Sequence, residues 1–310
     1  TSRTVNLFSG FVQTDLPLIE QRLRLTLGSK FEHNDYSGFE VQPNIRLLWT
    51  PHVHHTLWAA VSRAVRTPSR FEHDARVSLA VIPAGSPQNP TPLPGLLALL
   101  GVRDFEAEAL LAYELGYRLQ AQTRLSLDLA VFYNVYNNLR SLEFGMPTLE
   151  TTPPPTHVLS PVVLRNGAGG EVFGVEVAAD WRPLDWWRLQ LAYSYLQIRV
   201  HDTAATGLGT PNAEEGQSPR HQLSLRSSLD LTRQIEFDAW LRYVDALRTI
   251  SVPSYLTLDL RLAWRPWKSL ELALVGQNLL QSRQREFVPE QLSLPSEVQR
   301  SVYGKFTWRF

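Results

Sequence analysis

Apolar and polar side chains alternate one by one along much of this chain. The alternation is clearest at its C-terminus, where Phe306, Trp308 and Phe310 occupy every second position and polar residues fill the positions between them. Successive side chains of a strand point to opposite faces, so the three aromatic rings share one face. A soluble domain gains little by exposing such a face, whereas a membrane barrel turns it toward lipid. The pattern predicts a membrane-spanning strand.

The same period of two recurs upstream, often over lengths well beyond the five or six residues of an ordinary strand. It is visible in residues 21–31, 39–49, 57–61, 111–119, 125–139, 173–181, 186–200, 223–231, 235–243, 256–264 and 270–274. The apolar phase changes near Tyr195, which predicts a β-bulge there. We count about thirteen strands, each antiparallel to its neighbours.

Short and mostly longer connections take turns along the chain. The short ones are predicted at residues 15–18, 50–54, 120–122, 182–185, 232–233 and 265–267. Barrels of the outer membrane have short periplasmic turns and long extracellular loops. The alternation therefore predicts which end of each strand faces the periplasm and which faces the outside of the cell. Most tryptophans lie beside short links or the C-terminus and predict one aromatic girdle at the membrane interface: Trp49, Trp181, Trp186, Trp187, Trp264, Trp267 and Trp308.

Two long segments, residues 66–108 and 146–170, are predicted to be loops. The first contains an uncharged run, residues 77–102, that is long enough to cross a membrane as a helix. Five prolines interrupt this run and forbid a continuous helix. The second ends in the sequence NGAGG, residues 166–170, which lacks the Lys and Ser/Thr of a phosphate-binding loop and is predicted to be a flexible loop end.

Composition and candidate chemistry narrow the function. The chain has 30 basic and 30 acidic residues, and this zero net charge argues against nucleic acid or anionic lipid as the main partner. It has no cysteine, which excludes disulfides and thiolate sites. The cluster His52, His54 and His55 could bind a metal, but solvated turn histidines are the preferred interpretation. Arginines interleave with the carboxylates, which favours a charge-compensated lumen lining over catalysis. We predict no enzyme activity, metal site or cofactor.

Six segments resemble the barrel of a TonB-dependent outer-membrane receptor. They are SRAVRTPSR at 62–70, LAYELGYR at 111–118, FYNVYNNLRS at 132–141, GEVFGVEV at 170–177, GQNLL at 276–280 and SVYGKFTWRF at 301–310. The resemblance implies an all-β, antiparallel transmembrane barrel of 22 strands, of which residues 1–310 would be the C-terminal portion, without the plug domain or the TonB box. An odd number of strands further predicts an open, curved sheet with two unpaired edges.

The resemblance also implies a function and partners. Such receptors reside in the outer membrane of Gram-negative cells and actively import scarce nutrients, here most simply a ferric siderophore. The implied partners are outer-membrane lipid, the ferric chelate, the inner-membrane TonB complex acting through the plug, and the assembly machinery. That machinery would recognise Phe310 together with Trp308 and Phe306. The alternatives are a passive porin or fatty-acid channel, a structural or adhesive barrel, and import of cobalamin or an oligosaccharide.

Ligand contacts are predicted in the long loops, residues 67–108, 145–166, 201–218 and 279–296. Five cationic or titratable side chains in them could meet an anionic chelate: Arg70, His73, Arg103, His157 and His201.

Overall fold

The structure is a computed structural model, and it describes residues 4–121, 123–202, 215–288 and 296–310. Its elements, in chain order, are β1 (Leu7–Ile19), β2 (Leu23–Asn34), β3 (Gly38–His52), β4 (His55–Arg66), α1 (Arg70–Asp74), β5 (Arg76–Ile82), β6 (Gly95–Leu100), β7 (Glu108–Ala121), β8 (Leu125–Phe144), β9 (Thr148–Glu150), β10 (His157–Leu184), β11 (Trp187–Asp202), β12 (His221–Asp230), β13 (Ile235–Val244), β14 (Tyr255–Trp267), β15 (Leu270–Gln277), β16 (Arg283–Gln284), β17 (Val298–Gln299) and β18 (Ser301–Trp308). Parts of two predicted loops, residues 203–214 and 289–295, and Gln122 of one short link lie outside the described residues.

Thirteen of these strands form one antiparallel sheet, which we call the wall. Its order is β1-β2-β3-β4-β7-β8-β10-β11-β12-β13-β14-β15-β18. Strands β1 and β18 lie at its two ends, and within the described residues they do not pair with each other. The predicted strand number and the predicted open sheet are therefore confirmed. Within the same residues, no helix is long and apolar enough to cross a membrane.

The register separates an apolar outer face from a polar inner face. Leu258 on β14 lies opposite Leu241 on β13, which lies opposite Leu225 on β12. The intervening row places Asp259 opposite Trp240 and Arg226. Large apolar side chains on the outer face stay exposed, as for Phe306 with 66% of its surface accessible. This is the alternation that a membrane-spanning strand requires.

Two rows of aromatic rings border the outer face. Near the short turns, Trp49, Trp181, Trp264 and Trp308 all lie opposite leucines or isoleucine on that face, as predicted. The sequence did not indicate the second row, whose ring pairs are Phe31–Phe39, Tyr113–Tyr133 and Phe173–Tyr195, with centroids 6.0 to 6.4 Å apart. Phe173 and Trp181 are eight positions apart on β10. In a strand tilted by about 40° this separates the rows by roughly 20 Å, close to the thickness of an apolar band.

Two local predictions were wrong. The first short link is at residues 20–22 rather than 15–18, because β1 continues past Pro17 to Ile19. No bulge occurs at Tyr195, since β10 and β11 pair without a shift from Ala168↔Asp202 to Trp181↔Leu189. The pairing of β11 with β12 instead ends at Tyr195. Above the second aromatic row the outer positions of β11 become polar, and this change produced the shift in the apolar phase.

The predicted loop at residues 66–108 contains three regular elements joined by irregular segments. It contains α1 and the hairpin β5–β6, and β6 pairs in parallel with the first part of β10. All five prolines lie between Ile82 and Gly95, in the connection of the hairpin. Proline forbids a helix in this run, but it does not prevent strands on either side of a proline-rich connection.

The predicted loop at residues 146–170 is mostly strand as well. β9 pairs with the start of β10, and β10 runs for 28 residues from His157. The glycine-rich segment belongs to β10 instead of a flexible loop end. A side chain at Gly170 would place its Cβ 2.6 Å from the carbonyl oxygen of Arg199, so the close approach of β11 requires glycine there.

Candidate ligand-binding region at the long-loop end

Residues 67–107 and 145–166 form a compact unit above the wall, which we call the cap. Part of its apolar surface forms a small core, as in a soluble domain, while the side chains of β5 stay mostly exposed. The apolar side chains that are buried, with at most 7% of their surface accessible, are Ala98, Phe105, Ala107, Leu159, Val162 and Leu164. They come from β6, from β10 and from the segment between β6 and β7, so packing ties these three parts into one body.

Helix α1 is fixed in the cap by a capping box. The Ser69 hydroxyl accepts a hydrogen bond from the first turn, and the Glu72 carboxylate accepts one from the backbone N–H of Ser69 at 2.8 Å. Glu72 is almost fully buried and also accepts a hydrogen bond from Arg66 at 3.1 Å. Burial alone would raise the pKa of the Glu72 carboxyl, but the bonds from Ser69 and Arg66 outweigh it and keep that pKa below its ordinary value.

The Arg66 guanidinium links α1 to the wall. It donates two hydrogen bonds to Glu108 at the start of β7, both 2.7 Å long. This bidentate arrangement is the strong form of an arginine–carboxylate pair. The guanidinium of Arg140 on β8 lies 3.6 Å from Glu72. The cap is therefore held to three wall strands by one charged cluster.

Two of the predicted ligand-binding residues, Arg70 and His73, lie on α1, and their environments differ. Arg70 is half exposed, and its guanidinium lies 3.9 Å from the Asp74 carboxylate. His73 is buried, with its ring 4.6 Å from the ring of Tyr36. Within the described part of the chain, His73 Nε2 makes no hydrogen bond.

A recess of about 360 Å³ lies between Tyr36 and the segment 103–107 that leads into β7. Arg103 is exposed at this recess, beside Asp104 and Glu106. Arg63 also lines the recess and donates a hydrogen bond to Glu40 at 3.1 Å. Mixed charges at such an opening can hold a polar ligand, and their partial neutralisation keeps the recess from being strongly selective for one sign.

His157 lies at the far end of the cap and is buried. Its Nδ1 is 2.9 Å from the carbonyl oxygen of Pro155, and its Nε2 is 3.4 Å from the Glu150 carboxylate. Arg76 on β5 also binds Glu150, and this hydrogen bond holds the pKa of the Glu150 carboxyl below its ordinary value. These contacts join β5, β9 and β10.

His201 is exposed on the outer face of β11, with Nε2 2.7 Å from the Glu171 carboxylate. The five predicted residues therefore form three groups instead of one pocket: Arg70, His73 and Arg103 around α1; His157; and His201. Glu72 was not predicted, although the spacing from Ser69 to Glu72 is a capping-box signal that the sequence carries.

The inner face of the wall is lined by compensated charges, as predicted. Arg242 donates a hydrogen bond to Asp259 at 2.7 Å, and Arg261 donates to Glu271 at 2.8 Å. Across the described residues, no three histidine or acidic side chains converge in a way that could hold a metal ion. In the short turn, His55 instead lies 2.8 Å from the hydroxyl of Tyr117.

Long antiparallel strands, an apolar outer face between two aromatic rows, and a charged inner lining define a segment of an outer-membrane-type barrel. The sequence matches the family described as "TonB dependent receptor-like, beta-barrel" over residues 1–279. The chain belongs to this family, whose members are receptors and transporters of the outer membrane rather than enzymes.

Solved structures share the fold. The siderophore receptor PirA of Acinetobacter baumannii aligns with a TM-score of 0.72 at 16% identity, over 99% of this chain and 46% of that one. A mutant of the ferric enterobactin receptor PfeA of Pseudomonas aeruginosa, in complex with enterobactin, aligns with 0.70 at 19% identity, over 98% and 45%. The FrpB iron transporter of Neisseria meningitidis gives 0.66 at 15%, over 97% and 45%. The chain thus spans less than half of these structures. A search of curated proteins finds no match.

Proposed function

We propose that residues 1–310 are the C-terminal part of the barrel of an outer-membrane receptor that imports a ferric siderophore with energy from the TonB complex. The observation that carries the proposal is the family match over residues 1–279. The similar solved structures are a siderophore receptor, a ferric enterobactin receptor and an iron transporter, which supports the choice of an iron chelate. In this proposal the wall sits in outer-membrane lipid, and a plug domain elsewhere in the full-length protein connects to TonB.

The cap is the part of the chain best suited to meet the ligand. It stands at the long-loop end, and it is pre-organised by its own core, so it loses little conformational entropy on binding. Arg70, Arg103 and His201 have accessible charged or polar groups for an anionic chelate. His73 and His157 are buried, so in this proposal they stabilise the cap and do not contact the ligand.

The C-terminal residues serve assembly in this proposal. Phe306 and Trp308 stack with ring centroids 6.5 Å apart on the outer face of the edge strand β18. Together with Phe310 they present an accessible aromatic strip at a free sheet edge, which the outer-membrane assembly machinery can bind by adding a strand.

Uptake of a labelled ferric siderophore under iron limitation tests the function. Cells expressing the full-length protein are expected to take up one member of a panel of iron chelates, and a protonophore should abolish that uptake. The double substitution Arg70→Ala and Arg103→Ala should weaken binding of the chelate about tenfold or more, because it removes two charge-assisted contacts. Arg309→Ala, an exposed arginine beside the short turns, is the matched control.

Uptake that persists with the protonophore would show a passive channel. Transport of cobalamin or an oligosaccharide alone would keep the transporter class and overturn the choice of an iron chelate.

A further inference from the structure

Most arginines on the inner face of the wall have a carboxylate partner within the chain. The paired ones on β7 and on β11 to β14 are Arg118, Arg188, Arg226, Arg242, Arg261 and Arg265. Each lies within 4 Å of an acidic side chain, in most cases on an adjacent strand.

Arg24 on β2 and Arg46 on β3 differ from these six. Both are exposed on the inner face, and within the described residues neither guanidinium makes a hydrogen bond or an ion pair. The two carboxylates that line the same recess as these arginines do not pair with them. Asp15 accepts a hydrogen bond from the Thr26 hydroxyl, and Glu114 is separated from Arg46 by Ala60 of the intervening strand.

The two arginines share a recess of about 550 Å³ with Trp58. The register places Arg24, Leu48 and Trp58 in one row across β2, β3 and β4, and Arg46 in the next row. Diagonal neighbours in such rows are about 7 to 8 Å apart, so both guanidinium groups and the indole can reach one bound group.

The indole of Trp58 is held flat against the wall. A Cβ on Gly116 of β7 would lie only 2.1 Å from Trp58 Cε2, so the ring covers the glycine directly. One face of the indole is thus buried and the other faces the recess. A flat apolar surface beside two cations suits an anionic group attached to an apolar body.

We propose that Arg24 and Arg46 bind a carboxylate side chain from a part of the full-length polypeptide outside residues 1–310, and that an apolar neighbour of this carboxylate packs on Trp58. The chain covers only 45% or 46% of the solved structures it resembles, which leaves ample polypeptide to supply the partner. Carboxylates satisfy the six paired arginines of the inner face, so the same chemistry is expected for these two. The proposal rests on the proposed function only in treating the chain as part of a longer receptor.

Zero-length cross-linking tests this directly. In the full-length protein, Arg46→Lys and Arg24→Lys each introduce one primary amine, which a carbodiimide joins as an amide to a carboxylate in contact. Peptide mapping by mass spectrometry then identifies the partner. We expect a cross-link to an Asp or Glu outside residues 1–310, and its loss when that residue is changed to its amide. Arg22→Lys, in the neighbouring turn, is the control and should give no such product. Lys30, which is ion-paired with Glu32, serves as a positive control within the same digest.

A cross-link to Asp15 or Glu114 would overturn the proposal, because the partner would then belong to the wall itself. Absence of any product, with Lys30 still cross-linked, would equally overturn it and leave two solvated arginines. Resistance to unfolding in detergent confirms that each variant is folded, and none of these outcomes depends on which nutrient is transported.

Discussion

The cap buries apolar side chains in a core of its own, whereas the wall exposes them on its outer face. In the cap, Phe105 and Leu164 retain only 2% of their accessible surface, like core residues of a water-soluble domain. In the wall, Leu274 and Phe306 remain 58% and 66% exposed on the outer face. The cap is therefore stabilised by its own core, whereas the wall depends on lipid or detergent to cover its apolar surface. Substitutions in the two regions should respond differently to the solvent.

The largest expected effect is in the core of the cap. Phe105→Ala removes a fully buried ring and should destabilise the cap by about 3–5 kcal/mol. Hydrogen exchange of cap amides in detergent would measure this as faster local opening, with wall amides unchanged. Phe144→Ala, whose ring is 53% exposed, is the control and should cost far less. Equal acceleration in cap and wall would show that the two regions do not open separately.

The next effect is on the outer face of the wall. Leu258→Arg places a charge among lipid-facing leucines and should reduce the free energy of folding into bilayers by about 2–4 kcal/mol. Ala192→Arg introduces the same side chain on the inner face, at the edge of a polar recess, and should cost much less. A refolding titration in vesicles measures both. Similar costs for the two variants would contradict the assignment of the faces.

A smaller effect is expected at the helix cap. Ser69→Ala removes the hydroxyl that accepts a hydrogen bond from the first turn of α1, and it should cost about 1 kcal/mol of cap stability. The stability of the wall should not change. Protease cleavage near residue 75, compared between Ser69→Ala and Ser86→Ala in the connection of the hairpin, would detect the loss. No difference between the variants would mean that α1 is held by the charged cluster alone.

Acidification should loosen the cap through Glu72. Because its pKa is lowered in the folded state, Glu72 contributes stability that is fully present above its ordinary pKa of about 4.3 and is lost as the pH falls through the lowered value. Cap opening followed by hydrogen exchange should therefore accelerate at acidic pH. Glu72→Gln should be less stable at neutral pH and should show a flatter dependence. A variant with the unaltered pH profile would exclude Glu72 as the group responsible.

The smallest effect on stability is expected at the C-terminus. Deleting Phe310 removes a side chain that contacts little in the wall, so the folded barrel should keep its resistance to heat. The amount of folded receptor in the outer membrane should nevertheless fall, because assembly loses its proposed signal. Heat-modifiability of membrane fractions separates the two quantities. Unchanged amounts of folded receptor would refute the assembly role.

The wall was predictable because its pattern is local. Each strand repeats an alternation that one can read without knowing its neighbours, as in Leu256 to Trp264. The cap was not predictable, because β6 and the stretch of β10 from Pro161 to Leu164 are apolar on both faces and their pairing joins segments far apart in sequence. The bidentate bond from Arg66 to Glu108 illustrates the same limit: both residues are visible in the sequence, but only the register brings them together.

The length of β10 has a mechanical consequence. At about 3.3 Å per residue its 28 residues extend for roughly 90 Å, whereas an apolar band is about 25 Å thick. One strand therefore carries both the wall and the cap, with backbone hydrogen bonds to neighbours along both parts. Its pairing with β8 shifts register twice between Arg165 and Gly170, in the glycine-rich segment where the cap joins the wall. A load on the cap is therefore expected to bend the strand at this irregular pairing before it strains the regular ladder of the wall.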